Sequence, residues 1–140
     1  MLRVVLDSNV LVAGLRSRRG ASFRVLTLVD GGAFVTVVTV PLVIEYERVL
    51  LDSRHAWPHR AGDVRAVLDY LCAVSEHKRV HFLWRPCLPD ANDDMVLEAA
   101  VTGNCTHIVT FNVKDFVGCE RFGVQALTPG AFLGKLGEKR

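Results

Sequence analysis

The chain has 140 residues, half of them hydrophobic, with 17 basic against 15 acidic side chains and a mean hydropathy of +0.25. That composition suits one domain over residues 1–140 with one core, and it excludes a disordered chain. No apolar run approaches the roughly eighteen residues that span a bilayer, and Asp7 interrupts the N-terminal apolar stretch, so neither a membrane span nor a secretory signal is expected. The cytoplasm is the expected location.

The first element is a buried strand, RVVL at 3–6, followed by a helix that starts in NVLVAGL at 9–15. RSRRG at 16–20 breaks the chain, and ASFRVLTLVDGG at 21–32 reads as a second helix stopped by Gly31 and Gly32. The β-branched AFVTVV at 33–38 predicts a strand. PLVIEYERVLLD at 41–52 has Pro in its first turn and apolar residues at 42, 43, 46, 49 and 50, which is helix spacing. SRHAWPHR at 53–60 is a loop. The helix predicted over 62–77 carries Val64, Val67, Leu68, Leu71 and Val74 on one face.

A third strand is expected in RVHFL at 79–83, then a helix over 91–104 with Asp90 as N-cap and Gly103–Asn104 at its end. HIVTF at 107–111 and VQALT at 124–128 are strands, and PGAFLGKLG is a helical tail. Strands alternate with helices at spacings too long for hairpins. The expected class is therefore α/β, a central, mostly parallel sheet with helices on both faces. Ligands of such sheets gather at the carboxyl ends of the strands.

Several acids fall at that edge. Asp7 ends the first strand, Glu45 lies one turn into the helix after the second, Asp90, Asp93 and Asp94 open the helix after the third, and Asn112 and Asp115 follow the fourth. Each has a structural explanation: Asp7 and Asp90 as helix caps, Asp93 and Asp94 as first-turn charges, Asp115 as the cap of a short turn. Periodicity does not choose between Glu45 and Glu47. Caps need not all fall on one rim, however, and clustered carboxylates repel one another unless a cation is present. Oxygen ligands select Mg²⁺ or Mn²⁺ over zinc, and such an ion at an open edge suits phosphate chemistry. Cys72, Cys87, Cys105 and Cys119 form no close pair, so a zinc site is not expected. Of the 17 basic residues 13 are Arg, the side chain whose fork fits phosphate, which permits a nucleic-acid partner.

Taken together, VVLDSNVLVAG resembles the opening D-[ST]-N-V motif of PIN-domain ribonucleases, and VPLVIEYERVL resembles their glutamate-bearing helix. PDANDDMVLEAAVTGNCTHIVTFNVKDF is similar to their third and fourth motifs, a helix-borne Asp and a strand ending in T-x-[DN]-x-x-D-F. The resemblance runs from residue 3 to about 132, and the chain looks most like a VapC-like toxin of a bacterial toxin–antitoxin module. It implies a three-layer PIN-like fold with catalytic acids Asp7, Glu45, Asp94 and Asp115, of which Asp7, Asp94 and Asp115 hold Mg²⁺ or Mn²⁺. Ser8, Asn9 and Asn112 match supporting polar positions, Asn112 standing where many members have Asp. The implied reaction is hydrolysis of single-stranded or structured RNA, leaving a 5′-phosphate and a 3′-hydroxyl. A cognate antitoxin and a homodimer are the implied partners.

For holding RNA, Arg16, Arg18, Arg19 and Arg24 crowd one break, and Trp57 between His55 and His59 is placed either to stack on a base or to dock a partner. Three other readings compete. A haloacid-dehalogenase phosphatase needs a second Asp where Asn9 stands, and a receiver domain would use Lys114 but leaves the other acids unexplained. A degenerate PIN domain would bind RNA or protein without cutting.

Overall fold

The computed structural model describes residues 1–55, 57–80 and 91–137. Strand β1 (Leu2–Leu6) leads to helices α1 (Ser8–Arg16) and α2 (Ala21–Thr27); β2 (Phe34–Val38) leads to α3 (Val40–Leu50) and α4 (Ala61–Val74). After the short β3 (Glu76–His77) come α5 (Ala91–Thr102) and β4 (His107–Val109). Two 3-10 turns, Val113–Phe116 and Cys119–Phe122, precede β5 (Gln125–Leu127) and α6 (Pro129–Gly137). The strands form one sheet in the order β3-β2-β1-β4-β5, every pair parallel. Helices cover both faces. No helix among the described residues is long and apolar enough to cross a membrane.

The first strand is the central one because its residues suit burial on both faces. Val4, Val5 and Leu6 are all at most 1% exposed, as expected of a strand with a neighbour on either side and a helix above and below. Strands β2 and β3 build outward on one side of it, and the chain then returns to set β4 on the other. That reversal opens a crevice between the carboxyl ends of β1 and β4, the kind of switch point where open α/β sheets bind ligands.

Helix α3 is fixed against this crevice. Thr39 caps it by accepting from Leu42 N–H at 3.3 Å, and Pro41 fits its first turn. Tyr46 is buried and its hydroxyl donates to the carbonyl of Leu6, the last residue of β1. Leu42 and Leu50 lie on the same buried side, and removing each from water contributes roughly 2 kcal/mol. Gly14 lets α2 close on α1, since a Cβ there would stand 2.4 Å from Leu26 Cδ1.

Several boundaries differ from the sequence expectation. The helix expected over 21–32 stops at Thr27, because Asp30 and Gly32 take left-handed backbone angles, both with φ of 84°. The helix expected to 77 ends at Val74, where Ser75 is already extended. A short strand not expected from the sequence lies at Glu76–His77, paired through Val37↔Glu76 and Val38↔His77, and residues 79–80 of the expected strand belong to no element. Residues 81–83 of the expected strand, the Asp90 cap and Cys87 lie outside the described residues. Polar contacts set this register. Thr36 and Ser75 share a hydrogen bond at 2.6 Å, and Arg3 reaches Glu76 at 2.6 Å. Hydropathy carries no sign of either.

Candidate active site

Asp7 leaves β1 with its own N–H still bonded to Val109 O at 2.9 Å, so it remains tied to the strand pair. It occupies the N-cap position of α1, but its side chain makes no capping hydrogen bond. Instead Asp7 Oδ2 accepts from Thr110 Oγ1 at 2.7 Å, across the crevice. The carboxylate is turned to the switch point and away from the helix it precedes.

Thr110 is the hub of that crevice. It is fully buried, and its Oγ1 also accepts from Asn112 N–H at 3.0 Å and from Asn9 Nδ2 at 3.4 Å. Asn9 Oδ1 in turn accepts from Phe111 N–H at 3.4 Å. The ends of β1 and β4 are thus laced together by polar side chains where the ladder stops. Sequence reasoning passed over Thr110, although it stands as the Thr of the T-x-[DN] motif, at the end of a wholly buried strand.

These groups border a cavity of about 200 Å³. Asp7, Ser8 and Asn9 enter from the β1–α1 junction, Glu45 and Arg48 from α3, Asp93 from α5, and Asn112 from beyond β4. The choice between Glu45 and Glu47 is decided by the packing of α3. Glu45 is 8% exposed and borders the cavity, whereas Glu47 faces α4, with Arg65 Nη1 at 3.6 Å. Glu45 is held by the fork of Arg48, whose Nη2 donates to Oε1 and whose Nε donates to Oε2 at 3.4 Å.

From α5 the wall carries Asp93, not Asp94, the residue expected there by motif alignment. Asp94 is buried, 2% exposed. Rotation of this helix was hard to read because Val96, Leu97, Ala99 and Ala100 are all buried, leaving little contrast between its faces. Asp115 is exposed in the 3-10 turn after β4, its N–H bonded to Asn112 O at 2.9 Å, and it is not on the cavity wall. Its charge still reaches Asp7. Burial pushes the Asp7 carboxyl above its ordinary value, the Thr110 hydroxyl and Ser8 N–H pull it back, and the charges of Asp115 and Glu45 push it further up.

Among the described residues no three His, Cys, Asp or Glu side chains stand grouped to hold a metal ion. Glu45 is engaged by Arg48 and Asp7 by Thr110. The donor set nevertheless fits a hard divalent cation in kind: Asp7, Glu45, Asp93 and the Asn112 amide offer oxygens alone, and Asp7 already feels two neighbouring negative charges.

The basic residues gather in a second place. Arg16 ends α1 and donates to His55 Nδ1 at 2.9 Å, while His55 Nε2 donates to Val49 O at 2.8 Å. His59 Nε2 donates to Leu15 O at 2.7 Å. RSRRG and HAWPHR, read separately in the sequence, are therefore one patch. Arg18, Arg19 and Arg24 are exposed beside it. Trp57 is half-buried with one face stacked on His55 at 4.1 Å, so that face is not open to a base. By helix rise, α1 puts its basic end about 13 Å from Asp7.

Residues 3–114 match the family model described as PIN domain. The match takes in Asp7, Glu45, Asp93, Asp94 and Asn112 and stops one residue before Asp115. The fold is similar to that of a chain in the crystal structure of VapBC2 from Rickettsia felis bound to a DNA fragment from their promoter. The TM-score is 0.62 at 14% identity, over 91% of this chain and 98% of that one. No curated protein sequence matches the chain.

Proposed function

The chain belongs to the PIN domain family, and from that premise we propose that it is a metal-dependent endoribonuclease. PIN domains are generally nucleases; RNA as the substrate and Mg²⁺ or Mn²⁺ as the ion are the further steps of this reading. It is carried by one observation: a buried, charge-crowded Asp7 at the β1/β4 switch point, facing Glu45 and Asp93 across one cavity.

In this reading Asp7, Glu45 and Asp93 are the donors that hold the cation, with Asn112 and Asp115 completing the set. When bound, the cation neutralises a phosphoryl oxygen and lowers the pKa of water in the cavity. The protein's own part is orientation. Thr110 fixes Asp7 by a 2.7 Å hydrogen bond, and Asn9 holds the Phe111–Asn112 backbone that brings Asn112 to the wall. Ser8 lines the approach. Arg18, Arg19 and Arg24 are assigned to the RNA backbone, where forked guanidiniums bind phosphate oxygens, and the Arg16–Trp57 patch to a partner or to RNA. Likeness in fold to a chain of VapBC2 supports the further proposal of a toxin neutralised by a cognate antitoxin; action in the cytoplasm as a homodimer is proposed with it.

The test is incubation of the pure protein with mixed RNAs, with and without Mn²⁺. Cleavage that needs the ion and leaves 5′-phosphate ends supports the reading. A second reading, binding without cutting, draws on Asn112 in an acid's position and on the grip of Arg48 on Glu45. RNA retained intact in the presence of Mn²⁺ would select it.

A further inference from the structure

Arg48 is the one basic side chain on the cavity wall among the described residues. It lies three positions after Glu45 on α3, and its fork takes both oxygens of the Glu45 carboxylate. The two partners differ in setting: the Glu45 side chain is 9% exposed and that of Arg48 is 59% exposed. The guanidinium therefore sits at the mouth of the cavity, reaching in.

We propose that Arg48 is a phosphate-binding residue that covers Glu45 while the cavity holds no cation and transfers to an RNA phosphate oxygen when a cation takes Glu45. This rests on the nuclease reading above and adds a role for a residue to which the family resemblance assigned none. Three physical points carry it. A fork using both carboxylate oxygens leaves Glu45 little capacity for a metal, so arginine and cation compete for it. An ion pair open to water on one side is weak, so the competition is reversible. An acidic cavity repels a polyanion, and a guanidinium released at its mouth is the nearest counter-charge. The basic patch continues from there, because His55, which accepts from Arg16, donates to Val49 O on the same turn of α3 as Arg48.

Two titrations on the full chain test this, comparing wild type with Arg48→Ala and Arg48→Lys. Mn²⁺ alone is titrated calorimetrically, without nucleic acid. A short single-stranded oligoribonucleotide is then titrated in Ca²⁺ over a range of salt, with its integrity checked on a gel. Arg48→Ala should bind Mn²⁺ about two- to fivefold more tightly, the size of an exposed ion pair removed. It should bind the oligonucleotide more weakly, with a log–log salt slope shallower by about 0.7. Arg48→Lys keeps the charge without the fork, and should retain the salt slope while also binding Mn²⁺ more tightly than wild type. Far-ultraviolet circular dichroism verifies that each variant is folded, which the exposed position favours. An unchanged Mn²⁺ affinity or an unchanged salt slope in Arg48→Ala overturns the proposal. If wild type takes up no Mn²⁺, the nuclease reading falls with it; if wild type binds Mn²⁺ and cuts RNA while Arg48→Ala is unchanged, only the role of Arg48 falls.

Discussion

Glu76 and Asp7 are both carboxylates attached to strands of one sheet, and their surroundings treat them in opposite ways. Glu76, in β3, receives Arg3 at 2.6 Å and Lys78 at 2.9 Å, and these cations hold its carboxyl down to about 2. Arg3 also donates to Gly103 O at 2.9 Å, so one side chain ties β1 to β3 and to the turn after α5. Asp7 has a hydroxyl for its partner, lies 7% exposed, and is pushed up by burial and by the charges of Asp115 and Glu45. A carboxylate that joins strands is matched with cations inside the chain. The one at the strand exit is left with a demand for positive charge that folding alone does not meet.

The largest effect should come from removing that demand. Asp7→Asn is expected to lower RNA cleavage about a hundredfold or more, the scale of losing a group aimed at reacting charge. The metal-free protein should melt no lower than wild type, since the repulsion goes with the charge. Full cleavage by this variant would erase the distinction between the two carboxylates.

Next in size is the contrast within α5. Asp93→Asn should cut cleavage tenfold or more with little change in melting temperature, on the scale of losing one orienting contact at a metal site, about 10–100-fold. Asp94→Asn alters a buried polar group and should instead cost about 1–3 kcal/mol of stability in denaturant titration. The reverse pattern would mean that α5 presents Asp94 to the cavity.

Acid titration separates the pair again. The Asp7 carboxyl is raised in the folded state, so its contribution is full below the ordinary carboxylate value and is lost as pH rises through the raised one. Glu76 is lowered, so its contribution is full above the ordinary value of 4.5 and is lost as pH falls toward about 2. Melting curves of metal-free protein should show both limbs, and Asp7→Asn should flatten only the upper one. Persistence of the upper limb in Asp7→Asn would assign it to another group.

The smallest effect belongs to Glu76→Gln. Its ion pairs are open to solvent, so a slight fall in melting temperature is expected, vanishing at high salt, with cleavage untouched. A large loss of cleavage would extend the site to the far side of the sheet.

Much of this arrangement was legible in residues whose neighbours are local. The buried β1, the Pro41 first turn of α3 and the succession of strands and helices follow from apolar period and local backbone chemistry. What escaped depends on contacts distant in sequence. Two glutamates flanking one apolar stripe look alike until α4 takes Glu47 and the β1/β4 crevice takes Glu45. Helix α5, buried nearly all round, offers no polar face to orient it, so apolar period does not choose between Asp93 and Asp94. The short strand at Glu76–His77 went unread because Arg3 and Thr36, far upstream, fix its place. Thr110 looked like one more β-branched strand residue, and only the 103-residue span to Asp7 gives its hydroxyl a purpose.

That span bears on how the protein is made. Strand β1 is synthesised long before β4, yet it pairs with it from Val4↔His107 onward, and the cavity receives Asn112 only after that pairing. Closing so long a loop is slow compared with forming a helix. A chain still growing on the ribosome, before Thr110 is added, therefore carries Asp7 without the hydroxyl that aims it and a cavity without its far wall. On the nuclease reading, the growing chain acquires its cutting site only once β4 and the segment after it have been translated.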